Sequence, residues 1–417
     1  MKKQVIFIIF ICIGFGVKAQ SLTEFFELAA EDNPGLQAQY KEFKASLEKV
    51  AQANSLPDPS LTVSAFGQMV ETRVGPQKAR FSLSQMFPWF GTLKVQGDVA
   101  ALMAASKYQI YIEAKNKLRY DLAVAYFPLL ELREQLSIEE KNVDLLHTYK
   151  NIANSKFANS SGSLVDVLRI DLLLKEAEKN LEILKKREIP LLVSLNTMLN
   201  RDPKQTILLS EMPGLQELPT IDQKDSVLTD HPLLSALELK LEASRAEERL
   251  AVKQGLPKIG VGVDFISVGQ REDLAVGATP PSDNGKDVIM PMLTFSLPVF
   301  RGKYKAALKE AQLRQESFSL QRTEIANNLR ATYEMAQYEL ERQADLVALF
   351  TQLTEQSDQV LYLLYKTYSN SGSDLEEVLR MQQQRLRYEK QKIGALAQYQ
   401  IALAKLDYIT AKNNRNE

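Results

Sequence analysis

The chain has 417 residues, of which 45% are hydrophobic and 25% are charged. Its 51 Lys and Arg against 52 Asp and Glu leave no basic excess of the kind that nucleic-acid binding requires. The single cysteine, Cys12, lies in an N-terminal apolar segment. The rest of the chain therefore offers no thiol for a disulfide, a thiolate metal site or nucleophilic catalysis.

The N-terminus has the three-part pattern of a secretory signal. Lys2 and Lys3 precede an apolar run over residues 5–17, and Ala19 supplies a small residue before Gln20. The run is short for a bilayer crossing, which makes an uncleaved anchor the less favoured alternative. Cys12 has apolar sequence on both sides and is not placed as a lipidated cysteine would be. We expect residues 1–19 to be a cleaved signal peptide, leaving 48 basic and 52 acidic residues.

The mature sequence contains an internal duplication, a feature that decides the architecture of a chain. Four landmarks recur in the same order. They are Asn33-Pro34 with His231-Pro232, Leu56-Pro57 with Leu256-Pro257, Phe81-Ser82-Leu83 with Phe295-Ser296-Leu297, and the Asn-Ser-Gly turns at 159–163 and 370–373. We assign residues 20–200 to a first repeat, 201–224 to a linker and 225–417 to a second repeat.

Each repeat is predicted to contain a helix, two strands and two long helices. The first helices are expected over residues 22–54 and 225–254, and the Leu-Pro pairs end them because a residue before proline avoids the α region. Hairpins are expected over residues 58–87 and 258–298, where apolar residues alternate with small or polar ones. This period suits a membrane-barrel strand and equally a half-buried sheet in a soluble domain, so the strands alone leave both open.

The helices after the hairpins favour the membrane interpretation. Residues 92–158 are predicted to form roughly 100 Å of helix at 1.5 Å per residue, with apolar residues spaced as in a coiled-coil seam. Residues 303–368 repeat the pattern, and return helices are expected over 164–199 and 375–411. Pro128 and Pro190 should bend or break their helices.

Four strands cannot close a membrane barrel, because the smallest closed barrels have about eight. An open sheet edge cannot face lipid, since its backbone groups would have no hydrogen-bond partners there. Symmetric association is the usual remedy, and three copies would supply twelve strands. A trimer is therefore expected if the sheet crosses a membrane.

The duplicated landmarks resemble the TolC-like outer-membrane efflux proteins over essentially the whole mature chain. The matching residues are the two helix-start pairs, the corners at 87–91 and 297–302, and the turns at 156–162 and 368–372. The resemblance implies a mainly α fold with a small β part, forming a homotrimer with a twelve-stranded barrel in outer-membrane lipid and a helical tunnel in the periplasm. It also implies a passive exit duct that works with a periplasmic adaptor and an inner-membrane pump. The corner Phe87-Pro88-Trp89-Phe90-Gly91 resembles the subgroup that serves heavy-metal and related pumps of the resistance-nodulation-division (RND) type.

Three sets of residues are candidate functional positions. The turns expected to contact the adaptor contain Lys156, Asn159, Ser160, Ser161, Gly162, Asn370, Ser371, Gly372 and Ser373. The strand-to-helix corners contain Pro88, Trp89, Gly91, Pro298 and Gly302. Trp89 is predicted to be either an aromatic anchor at the membrane interface or a buried plug at its corner.

Asp374, with Glu376 and Glu377 nearby, is a candidate for a narrow gate. Three copies would place three carboxylates around one axis, and such a ring favours cations. The resemblance points the same way, because members of the family narrow at this end with acidic residues. An acidic residue in the first turn of a helix is also explained by capping and by the helix dipole, so both interpretations stand.

Enzymatic, metal and cofactor sites are not expected. The only histidines, His147 and His231, have no ligand cluster around them, and Met290 with Met292 suits packing better than soft-metal binding. The sequence has no phosphate loop, nucleophile elbow or metalloprotease motif. A periplasmic coiled-coil adaptor or scaffold is the alternative, which explains the helices but not the duplicated strand pairs. An export-pathway enzyme would need a polar site that the sequence does not offer.

Overall fold

The computed structural model describes residues 21–216, 230–272, 277–371 and 375–411, so the expected signal peptide lies outside it. Seven helices and one four-stranded antiparallel sheet are present in these ranges, and the predicted mainly α fold with a small β part is confirmed. The elements are α1 (Leu22–Asp32), α2 (Pro34–Asn54), β1 (Ser60–Val70), β2 (Gln77–Phe87), α3 (Thr92–Ala158), α4 (Leu164–Met198), α5 (Pro232–Gln254), β3 (Lys258–Val268), β4 (Val288–Ser296), α6 (Gly302–Ser371) and α7 (Leu375–Ile409).

The first predicted helix is two helices, α1 and α2, which meet at Asn33. Asn33 has an extended backbone, as expected for a residue that precedes a proline, and Pro34 begins α2. The Asn33 side chain accepts a hydrogen bond from the Leu36 N–H at 3.0 Å and donates one to the Met198 carbonyl at 2.9 Å. In the second repeat α5 begins at Pro232, and residues 225–229 of the predicted helix lie outside the described ranges.

The long helices α3 and α6 have 67 and 70 residues, close to the predicted bounds. Of the predicted bend or break at each proline, the break is wrong, because α3 continues through Pro128 and α4 through Pro190. Phe127 and Leu129 on either side of Pro128 are buried, and this packing offsets the hydrogen bond that the proline removes. No helix in the described ranges has an apolar stretch of the length that a bilayer crossing requires.

The chain folds as two compact units. The first contains the described residues of Met1–Gln37, Ala114–His231 and Asn328–Glu417. Its core is built on the predicted helical seams, and Phe25 packs against Tyr126 with 5.6 Å between ring centroids. Other buried members of this core are Leu122, Leu130, Leu132, Leu195, Leu340 and Leu406.

The second unit contains Ala38–Glu113 and the described residues of Pro232–Asn327, including the whole sheet. Its helices approach closely where small residues meet. Ser106 donates a hydrogen bond to the Ala236 carbonyl, and Ser244 donates one to the Ala311 carbonyl, both at 2.9 Å. These buried hydroxyls therefore find backbone partners on neighbouring helices, as buried polar groups must.

The four strands follow the order β1-β2-β3-β4, so β1 and β4 are the edge strands of this sheet. The register aligns Leu61 with Leu83 and Leu83 with Val263, and it aligns Val263 with Pro291 of β4. Because side chains alternate between faces along a strand, this register gathers the apolar residues of all four strands on one face.

We call this the apolar face, and it is exposed. Its large exposed members are Leu61, Val63, Phe81, Leu83, Val261, Val263, Phe265, Ile289, Leu293 and Phe295. Leu61 retains 65% of its accessible surface. In the half-buried sheet of a soluble domain, the apolar face is the covered one. In this sheet the apolar face is the exposed one.

The opposite, polar face carries serine, threonine, glycine and an ion pair between Asp264 and the partly exposed Arg80. Asp264 is fully buried, although it lies on the polar face. Gly260 leaves room for the Met86 sulfur, and Gly262 leaves room for Met292, whose Cε would lie 3.0 Å from an added Cβ. The glycines of β3 therefore let methionines from both neighbouring strands cover the centre of this face.

Candidate functional site

The turn between α3 and α4 is held by its own backbone. The Ser161 N–H donates to the Lys156 carbonyl at 2.9 Å, and the Ser160 N–H donates to the Phe157 carbonyl at 3.0 Å. Ser163 then caps α4, because its hydroxyl accepts a hydrogen bond from the Val165 N–H at 3.1 Å. The predicted turn residues are thus a compact connection between two long helices.

Positive backbone φ in this turn occurs at Ser160, where φ is +56°, whereas Gly162 has an ordinary φ. Gly162 is required for a different reason, since a Cβ there would lie 2.8 Å from the Lys156 Cβ and 3.2 Å from the Phe157 nitrogen. The turn folds back tightly against the end of α3. A side chain at residue 162 would push it away.

The last turns of α3 and α6 lie side by side. The Lys156 ammonium is 3.7 Å from the centroid of the Tyr368 ring, close enough for a cation–π interaction. Two turns earlier the hydroxyls of Tyr149 and Tyr365 are hydrogen-bonded. Burial and this hydrogen bond raise the pKa of Tyr149, so its phenol stays neutral at physiological pH. Of the second predicted turn, Asn370 and Ser371 end α6, whereas Gly372, Ser373 and Asp374 lie outside the described residues.

The first turns of α4 and α7 are joined by an ion pair. Arg169 Nη2 lies 3.1 Å from Glu376 Oε2, and Arg169 Nη1 lies 4.0 Å from Asp166 on its own helix. Glu376 and Glu377 are both exposed in the first turn of α7. Glu376, one of the acidic residues predicted for a gate, thus adjoins a cation that belongs to the first repeat.

A second charged group lies farther along α4. Asp171 accepts hydrogen bonds from the Lys150 ammonium at 2.5 Å and from the Lys175 ammonium at 2.9 Å. These bonds lower the pKa of Asp171 to about 2. The carboxylate therefore stays ionised across the physiological range and ties α4 to α3.

Beneath these polar contacts, all four long helices of the first unit share an apolar cluster. It contains Leu146, Tyr149, Ala153, Ile170, Leu174, Ala177, Leu361, Leu375, Val378 and Leu379. On another side of α4, the apolar residues Leu164, Val165, Leu168 and Leu172 are exposed, and Leu172 retains 70% of its surface. α4 thus carries more apolar surface than its own chain covers.

The strand-to-helix corners belong to the second unit. Gly91 has a φ of +75°, and the Lys253 ammonium donates a hydrogen bond to the adjacent Phe90 carbonyl at 3.2 Å. Trp89 is half-buried and packs edge-on against Phe90, with 5.9 Å between centroids. Pro88 and Pro298 are also half-buried, and Gly302 is exposed at the start of α6.

The most exposed aromatic rings at the corners are Phe90 and Phe300, at 77% and 88%. They hold equivalent positions in the two repeats, two residues after Pro88 and Pro298. Trp89 was the predicted aromatic of the corners, and this pair was not predicted. The repeat itself indicates the pair, because a phenylalanine follows the proline by two residues in both copies, whereas Trp89 has Val299 as its counterpart.

The two histidines and the paired methionines have structural surroundings. His231 is buried with its ring edge-on to Tyr408, 6.0 Å away, and burial lowers its pKa to about 4. His147 is exposed, 3.8 Å from Glu178. Within the described ranges, no group of three or more His, Cys, Asp or Glu side chains is arranged to hold a metal ion.

Solved structures of outer-membrane channels superpose on nearly the whole chain. One is CusC, with a TM-score of 0.77 and 13% identity over 94% of this chain and 92% of that one. Another is the CmeC outer membrane channel of Campylobacter jejuni, with a TM-score of 0.74 and 14% identity over 95% and 88%. The open state of the Neisseria gonorrhoeae MtrE outer membrane channel gives 0.74 and 19% identity over 93% and 88%.

The chain therefore has the fold of these outer-membrane channels, as the sequence resemblance implies. No protein-family model matches the sequence, and no curated protein is significantly similar to it. At identities below 20%, the superposition describes the path of the backbone and leaves each side chain to be judged on its own contacts.

Proposed function

We propose that the chain is the outer-membrane exit duct of a tripartite efflux system, which passively conducts compounds delivered by an inner-membrane pump through a periplasmic adaptor. The observation that carries the proposal is the exposed apolar face of the sheet, opposite a polar face that carries the ion pair between Arg80 and Asp264. Strands that alternate in this way suit a barrel with lipid outside and a polar lumen inside. A coiled-coil adaptor or scaffold would have no use for such a face.

The functional form is a homotrimer. Each copy contributes four strands, and the free edges of β1 and β4 can be paired in lipid only by other strands. Three copies would give a twelve-stranded barrel. The exposed apolar residues Leu164, Val165, Leu168 and Leu172 on α4 supply additional surface for a neighbouring copy or for the adaptor.

The adaptor meets the two turns that join the long helices. The first turn, from Lys156 to Gly162, is compact and rigid, and the end of α6 lies against it through Tyr368. Rigid turns next to exposed apolar side chains suit recognition by a helical partner. In the second repeat, Gly372 and Ser373 would complete this surface. The inner-membrane pump that the duct serves belongs to the RND type, of which the heavy-metal subgroup is one branch.

Asp374 and its neighbours narrow the duct. In a trimer, three Asp374 carboxylates with Glu376 and Glu377 would form an acidic constriction that favours cations. The ion pair between Arg169 and Glu376 supports this proposal, because it holds the start of α7 in place against α4.

The test is to express the chain in a Gram-negative host lacking its own exit duct. We expect it in the outer-membrane fraction, requiring detergent for extraction, with three copies per particle in cross-linking and light scattering. The mass of the extracted chain should correspond to a start at Gln20. Recovery as a soluble periplasmic monomer would contradict the duct and favour the scaffold.

A further inference from the structure

A cavity of the second unit lies where the sheet joins the helices, and it has a volume of about 570 Å³. All four strands begin or end beside it, since β1 and β3 start there and β2 and β4 end there. The helix ends that line it are those of α2, α3, α5 and α6. The function proposed above does not account for this cavity.

The cavity is lined by three lysines, Lys253, Lys258 and Lys303, and by no acidic residue among those described. None of the three forms an ion pair within the described part of the chain. Lys253 donates a hydrogen bond to the Phe90 carbonyl, and Lys303 lies 4.9 Å from the Tyr304 ring centroid. Lys253 and Lys303 thus contact neutral groups, and Lys258 and Lys303 are exposed.

Helix dipoles do not cancel these charges. The N-termini of α3 and α6 bring partial positive charge to the cavity, whereas the C-termini of α2 and α5 bring partial negative charge. The partial charges of the two pairs of helix ends oppose each other, so the three lysine ammonium groups determine the sign of the electrostatic potential in the cavity. The net charge of the lining therefore favours an anion over a cation.

A buried hydroxyl at the same place also lacks a partner. Thr92, the first residue of α3, lines the cavity and is only 5% exposed. Its Oγ1 makes no hydrogen bond with any described residue. Buried polar groups are almost always satisfied, so this hydroxyl at a helix N-terminus is available to donate to an acceptor from outside the chain.

We propose that this cavity binds a phosphate group, and that an anionic phospholipid supplies it. The ammonium groups would hold the phosphate oxygens, and Thr92 would donate to one of them. The choice of a lipid rests on the proposed function, because the apolar face then ends at the headgroup level beside this cavity. Trp89 in its wall and the exposed rings of Phe90 and Phe300 suit that interface.

Trp89 reports on the site directly, since it is the only tryptophan of the chain and lines the cavity. The trimer is placed in phosphatidylcholine bilayers containing a fixed fraction of brominated phosphatidylglycerol or of brominated phosphatidylcholine. Bromine quenches tryptophan fluorescence on contact, so stronger quenching by phosphatidylglycerol measures preference for the anionic lipid. We expect a preference of at least about fivefold, the contribution of one lysine near a charged lipid.

The variants Lys253→Gln and Lys303→Gln should each reduce that preference several-fold. Lys305→Gln is the matched control, because Lys305 is exposed on the same first turn of α6 but does not line the cavity. Equal quenching by the two lipids, or equal loss with Lys305→Gln, would overturn the lipid site.

A second measurement separates the cavity from the membrane. Inorganic phosphate is titrated into the protein in a neutral detergent, with chloride at the same ionic strength as reference. A Trp89 fluorescence change that Lys253→Gln removes supports the phosphate site even if the protein fails to act as a duct. A change with phosphate but no lipid preference would overturn the phospholipid and assign a soluble anion, and no change would overturn the site itself.

Discussion

Arg169 of α4 and Glu376 of α7 form an ion pair between the two repeats, with 3.1 Å between Nη2 and Oε2. Both side chains are partly exposed, so the pair contributes no more than about 1 kcal/mol. A contribution of that size is enough to bias a gate whose closed and open states are close in energy, because it corresponds to about a fivefold change in their ratio.

We therefore expect Arg169→Glu to increase the open probability of the channel up to about fivefold in planar-bilayer recordings, through repulsion of Glu376. The double variant Arg169→Glu with Glu376→Arg should return it close to the original value. If the single variant conducts as the original chain does, the pair holds α4 and α7 together without affecting conduction.

The turn between α3 and α4 should tolerate no side chain at residue 162. Gly162→Val would force the turn away from Lys156, and we expect loss of export with the trimer intact. Gly214→Val is the matched control, since a Cβ at Gly214 meets nothing within 4 Å. Export assays alongside gel electrophoresis of the unheated trimer measure both effects. Normal export by Gly162→Val would leave the turn as a simple connector.

A charge introduced on the apolar face of β1 should reduce membrane insertion more than a charge introduced on its polar face. Leu61 and Thr62 are adjacent, both exposed, and on opposite faces of the sheet. If the apolar face meets lipid, Leu61→Arg costs up to about 1 kcal/mol, because residue 61 lies at the start of β1 near the headgroups, whereas Thr62→Arg on the lumen side costs less. The amount of inserted trimer measures the difference. Equal insertion of the two variants would show that the apolar face does not contact lipid.

His231 should make stability depend on pH. Its pKa is about 4 in the folded chain and 6.5 when exposed, so below pH 6.5 the unfolded chain binds the additional proton. Stability attributable to His231 is complete above pH 6.5 and is lost as pH falls toward 4, by about 2 kcal/mol at pH 5. His231→Gln should melt with a smaller difference between pH 7 and pH 5, whereas His147→Gln, at an exposed site, should keep the original difference. A His231→Gln variant with the original difference would refute this assignment.

Asp374 should determine ion selectivity if the acidic constriction exists. Asp374→Asn keeps most of the capping ability but removes three charges from the trimer, so cation selectivity and block by multivalent cations should both fall. Glu377→Gln, on the exposed first turn of α7, tests whether any nearby carboxylate has the same effect. Selectivity that stays constant in Asp374→Asn would leave the residue as a helix cap.

The helices and strands were predictable to within a few residues because each depends on a local period. The alternation at Leu61 and Val63 and the seam at Leu122 and Leu129 are visible without tertiary contacts. The continuity of α3 through Pro128 was not predictable from the sequence, since it depends on burial of the flanking residues by other helices. The break at Asn33 was signalled by Pro34, although the prediction extended the helix through it.

The polar sites were less predictable, because they depend on pairs of residues far apart in the sequence. Nothing local indicates that Arg169 meets Glu376, or that the lysines at 253, 258 and 303 share one cavity. Positive φ at Ser160 also escaped prediction, since the same turn contains a glycine, Gly162, which adopts such φ values more readily. The sequence indicates which residues turn the chain, whereas tertiary packing determines how.

Pro291 gives the edge strand β4 a property that matters before assembly. It lies opposite Val263 in the sheet register and has no N–H to donate. In an edge strand, the backbone position of a proline faces the open side of the sheet, so a second strand pairing there would lack one hydrogen-bond donor. If two copies of this chain meet edge to edge, this gap interrupts the backbone hydrogen-bond ladder between them. In the trimer proposed above, pairing at β4 would therefore need further contacts elsewhere along the chain, whereas a stack held by edge pairing alone would lack them.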